Sequence, residues 1–451
     1  MKWIKTLTFL IIVAGIGSYI YFYEREMPTT EEREEKAKKV FDFESGDVNK
    51  LSLKKGERLI ICERKEWKWQ MVAPLNVRAD KNEMDTMVSR LESLTAERRL
   101  EGGEGEDIRL GDFGLDNPGI EVAVQLGNRS VTFLLGDDSV VGNNMYAMLK
   151  DAGEILLVRG SLLNNIDKAV DDLRDKQVIE VDRFEATKFL IEEKEGSLEC
   201  ERDGDEWHII KPLIARCDSG KIGEIFQKLN DLKVEEFVSE DPSDDEKFGF
   251  SSPELTVTIW DEDTLRSVMF GNREEGKIYA RRKAFDSVYL VDKGIITDLA
   301  ITPDELRDKK ILTFSVSDVK RLVLDREGGK YLCERDAEDN WKLIEPDGAE
   351  IDTDTIGDII WDISGLEVEG FAAEGTEDLG RYGLHEPQIS LTVRIEKEEE
   401  EAFEETLLIG KKTGEGNFYA RLESGEEIFE LSGSVVENLR KDLVKKAEPA
   451  E

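Results

Sequence analysis

The chain has 451 residues, 101 of them acidic and 62 basic, so its formal net charge is −39. At roughly 150 residues per domain, the length predicts about three domains. A nucleic-acid-binding protein must neutralise phosphates, so this acidic balance excludes DNA and RNA as expected partners. The two histidines, His208 and His385, lack a second metal ligand at short spacing, and we predict no metal, cofactor or catalytic residue.

An uncharged run begins at Thr6 and ends at Tyr23, close to the roughly 20 residues that cross a bilayer as a helix. Lys2 and Lys5 precede the run and acidic residues follow it, so the positive-inside rule predicts a cytoplasmic N-terminus and an exported remainder. A cleaved signal peptide is the alternative. The aromatic end of the run and the lack of an A-x-A cleavage site favour a retained single-pass membrane anchor.

Three collinear copies of one pattern follow the anchor. Each copy contains Cys-Glu-Arg, a Trp five residues before a Pro, an aromatic-Gly turn, Tyr-Ala and a closing Leu-Arg. The Cys-Glu-Arg triplets begin at Cys62, Cys200 and Cys333, and the closing pairs are Leu173-Arg174, Leu306-Arg307 and Leu439-Arg440. Such agreement indicates tandem duplication. The predicted segments are the N-terminus and anchor 1–23, a charged linker 24–39, repeats 40–177, 178–310 and 311–445, and a tail 446–451.

Each copy is predicted to be an α+β unit with mainly antiparallel strands. Alternating apolar residues indicate strands in both halves of a copy. An i, i+3, i+4, i+7 stripe between them, such as Met84, Met87, Val88 and Leu91, indicates one amphipathic helix. Asp80, Asp218 and Asp352 stand where an N-cap is needed, and Glu83 suggests a capping box in the first copy. A short helical segment is expected from Ser161 onward.

The motifs from the Trp segment to the closing Asp-Leu-Arg-Asp-Lys, residues 172–176 in the first copy, resemble the bacterial domain-of-unknown-function family 4340. The resemblance covers residues 40–445. It implies a protein tethered to the inner membrane and facing away from the cytoplasm, in a family often found beside gliding-motility-type ABC transport components. The resemblance assigns no catalytic residues to this chain. The third copy departs from the pattern by closing with Leu439-Arg440-Lys441-Asp442 and by its acidic hairpin around Glu396 to Glu405.

Several residues invite chemical hypotheses. The three repeated cysteines are better explained by core filling, while the unrepeated Cys217 leaves a disulfide with Cys200 open. The acidic segment from Glu201 to Glu206 favours a tight turn over a calcium loop. Acidic stretches precede each aromatic-Gly turn, and we interpret them as solvated loops, with weak divalent-cation binding left open. The stretches run from Glu101 to Asp112, from Glu240 to Glu246 (including Asp241, Asp244 and Asp245) and from Glu374 to Asp378.

Residues that recur in every copy are more economically structural than catalytic, because a catalytic group is needed only once. The leading hypothesis is therefore a membrane-anchored accessory protein that binds protein partners, in an ABC-type export or gliding-motility-like envelope complex. The alternative is a carboxylate-dependent enzyme acting on envelope polymers, because paired carboxylates need no histidine. Oligomeric state is left open.

Overall fold

A computed structural model describes residues 37–100, 109–140, 142–241, 243–262, 264–375, 378–397 and 401–445, with five isolated positions before residue 22. The chain divides into two compact units, Met1–Lys176 and Gln177–Glu451. The predicted anchor from Thr6 to Tyr23 lies almost entirely outside the described residues. Within the described part of the chain, no helix has the length and apolar character that a membrane crossing requires.

In residues 37–100, 109–140 and 142–176, the first unit contains one nine-stranded antiparallel sheet and one long helix. Its strands are β1 (Val48–Lys55), β2 (Arg58–Lys65), β3 (Lys68–Ala73), β4 (Val77–Arg78), β5 (Arg98–Leu100), β6 (Ile120–Leu126), β7 (Arg129–Asp138), β8 (Asn144–Leu149) and β9 (Ile155–Arg159). Its helices are α1 (Lys81–Glu92) and α2 (Leu163–Ile166). The strand order β4-β3-β2-β1-β6-β7-β8-β9-β5 joins two meanders through the pairing of β1 with β6.

The helix α1 leaves one edge of the sheet after β4, and the chain reaches β5 at the opposite edge. Its stripe of Met84, Met87, Val88 and Leu91 is buried against the inner face of the sheet, in one core with Cys62, Trp69 and Phe133. The Asp80 side chain accepts hydrogen bonds from the backbone N–H groups of Asn82 and Glu83, as expected of an N-cap. The unit is therefore a sheet with a helix across one face.

The second unit contains two sheets of the same kind. The first has β10 (Ala186–Glu193), β11 (Gly196–Asp203), β12 (Glu206–Lys211), β13 (Ala215–Arg216), β14 (Glu236–Ser239), β15 (Leu255–Asp261), β16 (Leu265–Glu274), β17 (Lys277–Arg282) and β18 (Val288–Asp292). The other has β19 (Val319–Arg326), β20 (Gly329–Arg335), β21 (Trp341–Glu345), β22 (Gly370–Glu374), β23 (Ile389–Ile395), β24 (Phe403–Lys412), β25 (Phe418–Leu422) and β26 (Glu427–Leu431). The last sheet has eight strands because, among the residues described, no strand corresponds to β4 or β13.

Two long helices cross these sheets. The helices of the second unit are α3 (Ser219–Asp231), α4 (Asp245–Phe248), α5 (Gly294–Leu299), α6 (Pro303–Leu306), α7 (Thr353–Ser364), α8 (Leu379–Tyr382) and α9 (Gly433–Leu439). Asp218 and Asp352 cap α3 and α7. The predicted α+β class and the three tandem antiparallel units are confirmed, and every strand pair described is antiparallel.

Three local predictions are corrected. Glu83 forms no capping box, because its carboxylate pairs with Lys168 at 2.8 Å. The segment after Ser161 is helical only as far as Ile166. The third copy does not close at Leu439-Arg440. The backbone N–H of each helix-capping Asp donates to the closing Leu of its copy, and this Leu is Leu173, Leu306 and Leu443. The residue after Leu443 is Val444, so the third copy has no closing arginine.

Candidate functional site

The repeated cysteines fill the core, as predicted. Cys62, Cys200 and Cys333 lie on β2, β11 and β20, and all three are fully buried free thiols. Burial raises the pKa of Cys62 and of Cys333 to about 12. A thiol with so high a pKa stays protonated and is a poor nucleophile. These cysteines therefore stabilise the sheets by packing.

Cys217 is also a buried free thiol, so the disulfide left open by the sequence is not formed. A hydrogen bond with Cys217, together with burial, raises the pKa of Cys200 far above its usual range. The equivalent positions, Ala79 and Ile351, hold apolar residues that lie within or against the other two cores. Cys217 thus replaces an ordinary core side chain.

The Glu of each triplet lies on the outer face of its sheet, away from the long helix, opposite a cation of the neighbouring strand. Lys50 Nζ is 3.1 Å from Glu63 Oε1, and Arg321 Nε is 3.3 Å from Glu334 Oε1. In the second copy, Lys188 lies opposite Glu201 in the register but pairs with Glu199. These pairs join the first two strands of a sheet across its outer face.

The Arg of each triplet donates to a backbone carbonyl in the segment that leads into, or begins, the first strand of its sheet. The acceptors are Ser45 for Arg64 at 2.9 Å, Phe184 for Arg202 at 2.7 Å and Val319 for Arg335 at 3.0 Å. The Cys and Arg of every triplet therefore have structural roles, and so does the Glu of the first and third copies.

The Trp-to-Pro segment contains a β-bulge in every copy. Each Pro follows a cis peptide bond, after Ala73, Lys211 and Glu345. In β3, β12 and β21, the residue two positions before the Pro has no pairing partner on the neighbouring strand. These unpaired residues are Val72, Ile210 and Ile344. A bulge re-aims a side chain at the expense of regular pairing. The three bulges place an apolar side chain at equivalent positions.

The aromatic-Gly turn covers the outer face of the second meander. In the second copy, Phe248 and Phe250 form a small core with Val288, and the Phe248 ring meets the Tyr279 ring edge-on at a centroid distance of 5.0 Å. Gly249 has a φ of +83°, which a residue with a Cβ rarely adopts. The pairs Phe113–Tyr146 and Tyr382–Tyr419 repeat this contact.

A second glycine recurs in each copy, on the strand that lies beneath the aromatic-Gly turn. A Cβ on Gly271 would lie 2.0 Å from the Phe248 carbonyl oxygen, and Gly136 and Gly410 show the same close approach at 2.1 and 2.2 Å. The turn can therefore lie on the strand only if that position is glycine. We call the half of each sheet under this turn (β6–β9, β15–β18 and β23–β26) the closed half.

The other half of each sheet (β1–β4, β10–β13 and β19–β21) is called the open half, and its outer face lacks this cover. Val72 is 38% exposed and Ile344 is 44% exposed, while Ile210 is half-buried. On the outer face of each open half, the bulge residue lies beside the charged residues of the neighbouring strands. This combination of apolar and charged groups is repeated three times.

The remaining candidates have ordinary roles. The segment from Glu201 to Glu206 forms the tight turn between β11 and β12. His208 is 36% exposed beside Glu206, and His385 is exposed in its turn. Among the acidic stretches, Asp244 and Asp378 cap α4 and α8. Within the described residues, no three potential metal ligands cluster, and residues 101–108, 242 and 376–377 lie outside that description.

One cavity of about 250 Å³ lies at the N-terminus of α3, with Glu206, Arg216, Asp218, Asp308 and Lys310 in its lining. Arg216 Nη2 is 2.6 Å from Asp308 Oδ2, and Asp218 accepts from the first backbone N–H groups of the helix. All three carboxylates therefore have structural partners, because Glu206 also pairs with Arg216. Glu206 lies 3.6 Å from Arg216.

Three tandem segments, residues 69–212, 207–341 and 341–448, match the family described as "Domain of unknown function (DUF4340)". The chain belongs to this family. The segments begin at the recurring Trp69, Trp207 and Trp341. The family description assigns no activity.

No curated protein matches the chain. Among solved structures, a DNA polymerase sliding clamp from Pseudomonas aeruginosa with ligand is 7% identical, with 89% of this chain and 95% of that chain covered and a TM-score of 0.15. A DNA polymerase III subunit beta DnaN sliding clamp from Bartonella birtlesii LL-WM9 is 8% identical, with 87% and 92% covered and a TM-score of 0.12. At such TM-scores neither likeness bears on fold or function.

Proposed function

We propose that the chain is a membrane-anchored, extracytoplasmic binding protein that serves as an accessory to an ABC-type export or gliding-motility-like envelope complex. The uncharged run from Thr6 to Tyr23 and the basic residues before it support an anchor with a cytoplasmic N-terminus. The resemblance noted above supports the kind of complex. The acidic body favours specific protein surfaces over general adhesion to anionic membranes.

The observation that carries the binding function is the bulge at Val72, Ile210 and Ile344. A bulge interrupts a strand ladder, and an exposed apolar side chain gains nothing from burial within its own copy. The bulge with its apolar residue recurs at one position in all three sheets, and that residue is exposed in the first and third. Contact with a partner supplies the missing burial.

Three equivalent surfaces on one chain favour multivalent binding. When one copy is bound, the others are held near the partner at a high effective concentration, so overall affinity exceeds that of a single copy. A partner with repeated subunits, or several neighbouring subunits of one membrane complex, fits this arrangement.

The binding proposal is tested by replacing the bulge residues with serine, singly and together, in the full-length membrane protein. Partners are cross-linked in intact cells, recovered through the tagged chain and quantified. We expect each single variant to lower recovery about two- to fivefold and the triple variant to lower it by more than the largest single effect, on the order of tenfold or more.

Val140→Ser is the matched control, because Val140 is 95% exposed and lies outside the strands. Recovery should be unchanged in this variant. Unchanged recovery in the triple variant, with a normal melting temperature, would refute binding through the open faces. If the soluble part of the chain also hydrolysed envelope glycan or peptide, the carboxylate-dependent enzyme would replace the proposal.

The location is tested separately with protease added to spheroplasts. Residues 40–451 should be digested while the membrane is intact, because the charge step across the anchor directs them outward. Complete protection, with digestion only after lysis, would place the body in the cytoplasm and refute this orientation.

A further inference from the structure

The hairpin between β2 and β3 carries an exposed tryptophan in a left-handed backbone conformation. Glu66 and Trp67 have φ values of +48° and +69°, so both central residues of this two-residue turn lie where Gly, Asn and Asp are preferred. Trp67 is 78% exposed. For a bulky side chain, a positive φ is a true outlier. Within the described chain Trp67 has no ring or cation contact that offsets this strain.

The two lysines that flank the turn place like charges opposite each other, which is a second destabilising feature. Lys65 and Lys68 are directly opposite each other in the register, and like charges at such positions repel. Both side chains are exposed, and neither has an ion-pair partner within the described residues. The positive φ of Trp67 and the opposed lysines are two destabilising features at one turn. They indicate that the turn is selected for contact with a surface outside the chain.

The equivalent turns of the other copies differ in charge and in backbone chemistry. The turn from Asp203 to Glu206 reads Asp-Gly-Asp-Glu and has Gly204 at a φ of +60°. The turn from Asp336 to Asn340 reads Asp-Ala-Glu-Asp-Asn. Both are acidic and lack an aromatic residue. Only the first copy, which follows the anchor in the sequence, combines Trp with two lysines.

The Trp67 turn lies at the end of the sheet where the chain enters from the linker. Lys50, near the start of β1, pairs with Glu63, near the end of β2, and Arg64 donates to the carbonyl of Ser45 just before β1. At about 3.5 Å per residue, the 16 residues 24–39 span at most roughly 55 Å. The linker and residues 40–47 therefore tether this end of the sheet to the proposed anchor.

We propose that the Trp67 turn docks on the membrane, with the indole ring at the lipid interface and Lys65 and Lys68 against anionic head groups. Tryptophan favours the interfacial region of a bilayer, and exposed basic side chains are attracted to anionic lipid. The contact rests on the proposed anchor. It fixes the orientation of the first sheet, which a linker of this length leaves undetermined.

The test uses the full chain reconstituted in vesicles of three parts phosphatidylcholine to one part phosphatidylglycerol. Tryptophan emission is compared with and without brominated acyl chains, which quench only rings at lipid depth. Of the seven tryptophans, only Trp3 and Trp67 are expected at the membrane. Trp67→Gly should therefore remove about half of the quenched emission, as expected for an interfacial ring. Trp361→Ser, which removes another largely exposed tryptophan, should remove none of it.

The melting temperature distinguishes docking from a structural role. Glycine accepts a positive φ, so Trp67→Gly should raise the melting temperature or leave it unchanged. A marked decrease would show that the ring stabilises its own sheet and would overturn the proposal. The double variant Lys65→Glu with Lys68→Glu should weaken the quenching of Trp67 emission by the brominated chains in the same vesicles. In vesicles of pure phosphatidylcholine, the double variant should be quenched as much as the wild type.

Insertion is measured independently as flotation of the chain with the vesicles at alkaline pH. Chains that float but show no Trp67-dependent quenching would overturn the docking and leave the anchor intact. Chains that do not float would overturn both. Loss of partner recovery in Trp67→Gly, with quenching unaltered, would assign the turn to a protein surface and overturn the lipid contact.

Discussion

The open and closed halves of each sheet share an inner core but differ on their outer faces. In the closed half of the second copy, Phe248 and Phe250 pack over the strands, and Gly271 allows the Phe248 carbonyl to approach within contact distance. In the open half, the bulge at Ile210 lies among charged residues and lacks this covering turn. The closed half has a covered outer face, whereas the open half leaves apolar and charged side chains uncovered.

Because both halves of a sheet share the inner core, we predict that the cysteine thiols beneath the open half are protected from chemical modification. Cys62 and Cys333 should react with a maleimide at least about a thousandfold more slowly in the native chain than in denaturant, because reaction requires opening of the core. Mass spectrometry after timed labelling measures the rates. Val140→Cys supplies an exposed reference thiol. Rapid labelling of Cys62 under native conditions would show that the open half lacks a stable inner core.

Adding a methyl group at the closed half should produce the largest loss of stability. Gly271→Ala forces the turn off the strand, and we expect a loss of about 3 kcal/mol in the free energy of unfolding. Gly223→Ala on α3 is the matched control, since a Cβ there meets open space and alanine is the better helix former. Equal stabilities of the two variants in urea denaturation would contradict the packing described for the closed half.

The third sheet also receives Arg307 from the preceding copy, at the edge where β22 pairs with β26. This side chain is 2% exposed, pairs with Glu374 and with Glu427 at 2.5 Å, and lies 3.6 Å from the Phe371 ring centroid. The two carboxylates are half-exposed, so solvent screens the pairs, and Arg307→Ala should lower stability by about 2 kcal/mol, mainly through lost packing.

Arg440→Ala is the control for Arg307, because Arg440 occupies the closing position that sequence spacing predicts but is exposed. Its melting temperature should remain close to that of the wild type. A similar decrease in both variants would mean that the buried contacts of Arg307 contribute little.

The open-face variants should produce the smallest change in stability. Val72→Ser and Ile344→Ser each should alter the free energy of unfolding by less than about 0.5 kcal/mol, as is usual for exposed positions. Circular dichroism during thermal unfolding checks this value. A loss of several kcal/mol would show that the bulge residues support the sheet, and the open face would then need no partner to explain them.

Much of each copy was predictable because its signals are local. The stripe at Met84, Met87 and Val88 and the cap at Asp80 need only neighbouring residues on one helix, and the structure confirms them. Burial of Cys62 followed from its place in an alternating strand. The open-face bulges were missed, because Val72, Ile210 and Ile344 look like ordinary strand residues. Their common position, three residues after each recurring Trp, was the available signal.

By itself, the sequence determined the three copies, their α+β class and the long helices, since periodicity and spacing are properties of neighbouring residues. Tertiary structure alone decided that β1 pairs with β6, that Gly271 meets Phe248, and that the third copy closes at Leu443 and not at Leu439. These contacts join residues far apart in the chain, and their partners are selected by packing and backbone hydrogen bonding, which local patterns do not encode.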